Sequence, residues 1–218
     1  MIPVARVKMD ANIPPHATFW IPSLEDIGEE GFGFFHDTWA ITDVTLDEAR
    51  GILEEEERII AFVDDVATSP DIFEKILKII ESGEMTEMPP DLLSAEQCSN
   101  LEEILIGEDS PIRQLDLGVV SSVYSFSAAG CFPAASCRGH GSGYSWASNP
   151  VVYIAADRPH AEAIQPLVAE SGCGLALDEV RPDLIVVQAP SIREMLTLSS
   201  MLIHRIDDGL PTMQPTQL

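Results

Sequence analysis

Residues 127–150 constrain this chain most; they read Ser-Ala-Ala-Gly-Cys-Phe-Pro-Ala-Ala-Ser-Cys-Arg-Gly-His-Gly-Ser-Gly-Tyr-Ser-Trp-Ala-Ser-Asn-Pro. They show neither the 3.6-residue period of a helix nor the alternation of a strand. Apolar runs flank them, Leu117 to Phe126 before and Val151 to Ala155 after. Unstructured connections of this length are uncommon in compact domains and are usually functional or disordered. Cys131, Phe132, Cys137, Tyr144 and Trp146 lie within the stretch, and disordered tracts are poor in such residues. The stretch therefore reads as an ordered, glycine-rich site loop joining two strands.

The residues after the loop set the fold class. Val151 to Ala155 is a continuous apolar run, the mark of a strand buried on both faces. Asp157 caps a helix whose inner face is Ala161, Ile164, Leu167 and Val168, and Gly172 ends it. Strands are expected at 173–177 and 184–187, and Ser191 with Glu194 opens a last helix that closes at Asp207-Asp208-Gly209. With Leu117 to Phe126 read as a strand, the half becomes β-(long loop)-β-α-β-β-α. This is a ferredoxin-like unit lacking its last strand. Strand 117–126 is expected to fill the vacant edge, antiparallel to 151–155, because antiparallel neighbours can be joined by one loop.

The part before residue 115 reads as helix. Thr45 and Glu48 form a capping box ahead of Leu46, Ala49, Leu53, Ile60 and Val63, with Val44 as the staple residue. Ser69, Pro70 and Gly83 bracket a second helix, rich in isoleucine and expected in the core. Ser94 with Gln97 starts a third, with Cys98 and Leu101 inward, ending before Gly107. Val4 to Met9 and the aromatic run Gly31 to Ile41 read as strands, the latter carrying a His36-Asp37 pair. The expected fold is α+β, with an α/β arrangement as the alternative. Residues 1–114 form an acidic, helix-rich region packed on a ferredoxin-like region, 115–210, and 211–218 is a loose tail. The whole is small enough for a single domain.

Charge narrows the partners. The chain has 36 Asp+Glu against 12 Lys+Arg, a net charge of −24, and residues 1–114 carry most of it. Such a field repels phosphate backbones, so direct nucleic-acid binding by the N-terminal part is not expected. It attracts a basic protein, as an immunity- or antitoxin-like neutraliser would, or it serves solubility in a salty setting. No apolar run is long enough to span a membrane, no secretory signal is visible, and four cysteines make no disulfide framework. A cytoplasmic, reduced setting is expected.

Three chemistries fit the loop. Cys131, Cys137, His140 and Cys173 offer three thiolates and an imidazole, a structural zinc set, although the C-x5-C-x2-H spacing is not a usual knuckle. Cys137 and His140 are the candidate catalytic pair, a thiol activated by a neighbouring cation. The functional expectation carried forward is a site for a small anionic ligand, with or without enzymatic turnover. Arg138 and the amides around Gly139, His140 and Gly141 would hold the anion. The N-terminus of the helix capped by Ser191 would complete that site, and Tyr144 or Trp146 would wall it. The bland alternative is a structural loop in which Arg138 pairs with an acid and the thiols are merely buried.

Overall fold

The computed structural model describes residues 1–23, 44–83, 88–105, 115–140 and 147–209. The helical caps lie where the side chains dictate. Thr45 and Glu48 form a reciprocal capping box that starts helix α1, Leu46–Val66. Ser69 accepts the Ile72 N–H and Pro70 opens helix α2, Pro70–Ser82, which Gly83 ends with a left-handed φ of 73°. Ser94 and Gln97 repeat the capping box for helix α3, Ala95–Ile104. Phe73, Ile76, Leu77 and Ile80 of α2 are buried, each contributing about 1.5–3 kcal/mol over its exposed state.

Residues 117–126 are not a strand. Helix α4, Val120–Ala128, takes their place. Val120, Ser121, Ser122, Val123, Ser125, Phe126 and Ala128 are all buried, with Tyr124 and Ser127 half-buried. A helix enclosed on nearly every side loses the polar stripe that reveals its period. Its valines and aromatics then imitate a strand. Its start also lacks a local signal, since Val119 supplies no side-chain cap.

The edge strand comes instead from inside the expected loop. Strand β1, Phe132–Cys137, pairs antiparallel with β2, Val151–Ala155, with an irregularity between Pro133 and Ala135. Proline is confined to edges and bulges of sheets, and here it has both. Helix α5, Arg158–Glu170, starts at Asp157, and Gly174–Leu177 and Ile185–Gln188 form β3 and β4. Helix α6, Ile192–Asp207, follows the cap Ser191. The order across the sheet is β1-β2-β4-β3, every neighbouring pair antiparallel. The described chain is thus a mixed α+β fold of six helices and one four-stranded sheet.

Register fixes which loops meet. Cys137 opposes Val151, Val151 opposes Gln188, and Gln188 opposes Gly174, so these four mark one end of the sheet. Phe132, Ala155, Ile185 and Leu177 mark the other. Val152, Ile154, Ile185 and Val187 point into a core shared with Ala49, Phe73, Val123 and Leu202. Val151, Val186 and Cys137 alternate to the opposite face.

The N-terminal segment forms no strand at residues 4–9. It runs as a strap, with Ala5 N–H donating to Pro190 O at 2.8 Å and Asp10 O accepting Leu175 N–H at 2.6 Å. Arg158 stacks over Phe19 and Arg181 over Trp20, at 4.5 and 5.1 Å from the ring centres. The run Gly31 to Ile41, with His36-Asp37, and the tail 211–218 lie outside the described residues. No described helix is long and apolar enough to cross a membrane.

Candidate functional site

β1 ends at Cys137, and the next three residues turn back beneath α2. Gly139 has φ 79°, and a Cβ there would lie 2.3–2.5 Å from the Asn149 backbone. Only glycine allows the two arms of the loop to approach so closely. Asn149 Nδ2 clamps the returning arm by donating to Ala189 O at 3.2 Å and Pro150 O at 3.3 Å. The base of the loop is therefore built, while Gly141, Tyr144 and Trp146 lie outside the described residues.

Arg138 is 2% exposed and its side chain turns to the helical side of the sheet. Its Nε donates to Glu74 at 3.2 Å, and its two terminal nitrogens reach Glu81 and Leu117 O. Glu74 and Glu81 both belong to α2, two helical turns apart. A guanidinium has five N–H donors, and this set leaves little of the fork for an outside anion. Burial alone would lower its pKa, but Glu81 and then Glu74 and Asp116 hold the cation firmly protonated.

His140 lies between two carboxylates. Nε2 faces Asp116 Oδ2 at 3.1 Å and Nδ1 faces Glu74 Oε2 at 3.4 Å. Arg138 also comes within 3.2 Å of Nδ1. An arginine only donates, so Glu74 is the shared acceptor of both cations. Hydrogen bonding to Asp116 first, then to Cys137 and Glu74, pushes the imidazole up to about 11. Burial would raise the Asp116 carboxyl, but the His140 and Arg138 hydrogen bonds bring it down to about 2. Glu74 is lowered likewise, burial being outweighed by His140 and Arg138, whereas burial pushes Glu81 up. Three carboxylates thus face two cations.

The cysteines part company. Cys137 accepts the Gly139 N–H at 3.3 Å and stands beside His140. Cys131 precedes β1 at the far end of the sheet, a strand length or about 17–20 Å away. Cys173 lies at the Cys137 end but on the β3 side, three strand spacings or about 14 Å across. Its Sγ reaches Glu194 O at 3.4 Å. Burial pushes both Cys131 and Cys173 up to about 12. The four residues Cys131, Cys137, His140 and Cys173 are therefore not brought together. Asp116, Cys137 and His140 are, each placing one donor atom within 4.8 Å of the others'.

No motif along the chain singles out Asp116, Glu74 or Glu81. The available signal is Glu74 and Glu81, seven residues apart beside Phe73 and Ile80, since acids at that spacing share one helix face with the core. Ser191 caps α6, though not through the expected reciprocal box with Glu194: its hydroxyl accepts the Arg193 N–H and donates to Glu194 Oε2. Between the α6 start and the loop base lies a cleft of 230 Å³. Pro3, Val4 and Ala5 of the strap wall one side, and Glu74, Arg138, Gly139, Ser148, Asn149, Pro150, Pro190 and Ile192 the rest. Comparison with protein-family models, with curated proteins and with solved structures finds no match.

Proposed function

We propose that this is a small-ligand-binding protein whose site is the cleft at the base of the 138–150 loop. The observation that carries the reading is the cleft itself, bounded by a clamped loop base, the start of α6 and ionised Glu74. Its 230 Å³ lies below the roughly 300–1,000 Å³ of drug-sized sites, so the ligand is small. Pro3, Val4, Pro150, Pro190 and Ile192 suit an apolar body. Because the Arg138 fork is occupied by Glu74, Glu81 and Leu117, the local charge favours a cationic or hydrogen-bond-donating head over an anion. Binding is favoured over acid–base catalysis, because an imidazole held near 11 is far from the range where a general base works best.

A thermal-shift panel tests this. Small amines are expected to raise the melting temperature of the wild type, and Ser148→Trp, which fills the exposed mouth of the cleft, to abolish the effect. No shift with any class would contradict the site. A shift with phosphate, sulfate or carboxylates alone would restore the anion reading, with Arg138 as its donor.

The strand order supports reading β2-α5-β3-β4-α6 as a ferredoxin-like unit whose fourth strand is supplied by β1. A second functional reading, an acidic neutraliser of a basic protein, draws on the net charge of −24 and on exposed Glu54 and Glu57 of α1. Such an association would form fast and weaken steeply with salt. Pull-downs that recover no basic protein at low ionic strength would count against it.

A further inference from the structure

We propose that Asp116, Cys137 and His140 form a metal site for a zinc-class divalent ion, with one coordination position left to solvent or a ligand. This centre adjoins the cleft and shares Glu74 with its wall, but its three ligands do not line the cleft, and it does not require the cleft to hold an organic molecule. Three different parts of the chain converge here: the turn before α4, the last residue of β1, and the loop base. Their donors are a carboxylate oxygen, a thiolate sulfur and an imidazole nitrogen, and sulfur with nitrogen selects zinc-like ions over magnesium or calcium. Three protein ligands, not four, are the pattern of open metal sites.

The separations suit an ion. Ligand oxygens and nitrogens at about 2.0–2.2 Å from a tetrahedral ion lie about 3.3–3.5 Å from each other. Asp116 Oδ2 and His140 Nε2 are 3.1 Å apart. The other ring nitrogen faces Glu74. That arrangement fixes which imidazole nitrogen is offered to a metal, and such outer carboxylates tune affinity by about 10–100-fold.

Asp116 is held in place by the turn that follows it, which two helices anchor. Leu117 N–H donates to Glu81 Oε1 at 2.7 Å and Gly118 N–H to Glu56 Oε1 at 2.7 Å. Arg138 N–H donates to Asp116 Oδ2 at 3.0 Å, so the first ligand is tied to the residue following the second. Glu74, Glu81 and Asp116 gather around Arg138, the one permanent cation of the cluster, so the corner favours added positive charge.

The test uses the untagged full chain, stripped by chelator and titrated with cobalt(II), a coloured stand-in for zinc. One ion per chain and a thiolate-to-cobalt absorption band are expected. Cys137→Ser should lose the band, Glu74→Gln should weaken binding about 10–100-fold, and Cys131→Ser and Cys173→Ser should leave both unchanged. Should Cys137→Ser fail to fold, alkylation of the wild type decides, with zinc expected to protect Cys137 and not Cys98. Absence of a bound ion and of protection in the wild type overturns the proposal. So does a band that depends on Cys131 or Cys173. The amine thermal shift is read separately, so failure of one claim does not disguise failure of the other.

Discussion

The carboxylate of Glu56 accepts the backbone N–H of Gly118 at 2.7 Å across 62 residues of sequence. It also accepts Val120 N–H at 3.1 Å and Ser121 N–H at 2.9 Å, so a side chain of α1 caps α4. The residue is fully buried, and burial pushes its carboxyl up against the pull of these donors. Glu56→Gln keeps the oxygen shared by Gly118 and Val120 but turns an amide N–H toward Ser121, at a cost of about 1–3 kcal/mol. Glu56→Ala leaves three donors unpaired beside a void and should cost about 3–5 kcal/mol. Urea unfolding measures both, and an alanine variant as stable as the wild type would remove the capping role.

Arg138 is matched by acids it cannot spare. Arg138→Met strands Glu81 and leaves Glu74 with His140 alone, and should destabilise by about 3–5 kcal/mol, since breaking a buried pair leaves uncompensated charge. Adding Glu81→Gln to that variant should recover part of the loss, because the burden is the unpaired carboxylate. If the double variant is no more stable than the single, the charges are not coupled as described.

Gly139→Ala tests the loop base. A Cβ at φ 79°, 2.3–2.5 Å from Asn149, forces the arms apart and should cost more than about 1 kcal/mol. Hydrogen exchange should rise at Cys137 and Val151, the pair nearest the clamp, before it rises at Phe132 and Ala155. Uniform protection across β1 would show that the approach is not under constraint.

The strap should respond to acid. Asp64 accepts Ile2 N–H at 2.8 Å and pairs with Arg193 at 2.5 Å. Partial burial would raise its carboxyl, but hydrogen bonds from the chain's first amine and from Arg193 hold it below the ordinary 3.8. A carboxylate lowered on folding contributes stability above its unfolded value and loses it as pH falls through the folded one. The contribution is therefore complete above pH 3.8 and fades below it. Protease sensitivity within residues 1–10 should increase below that pH, and Asp64→Asn should show the same sensitivity at neutral pH. A strap equally resistant in the variant would mean that Asp64 does not hold it.

Local signals carry most of the helices. Thr45 with Glu48, Ser69 with Pro70, Ser94 with Gln97, Asp157 and Ser191 each announce a start within three residues of it. α4 escapes because its cap is Glu56, and no window along the sequence holds both. β1 escapes because Pro133, Ala134 and Ala135 are poor strand formers whose place at a sheet edge only the fold provides. The site is half legible for the same reason. Cys137, Arg138 and His140 stand out along the chain, while their partners Glu74, Glu81 and Asp116 arrive from elsewhere. Adjacent cation and thiol suggest an anion, and only the distant carboxylates reverse that sign.

X-ray absorption at the zinc edge of the zinc-loaded full chain tests the central claim most directly, since it counts the atoms around the ion. The three-ligand centre predicts a mixed first shell with one sulfur at about 2.3 Å and nitrogen or oxygen at about 2.0–2.2 Å. Two or more sulfurs would bring Cys131 or Cys173 into the shell against the register of the sheet, and a shell of oxygen alone would exclude Cys137; either result contradicts the Asp116–Cys137–His140 centre.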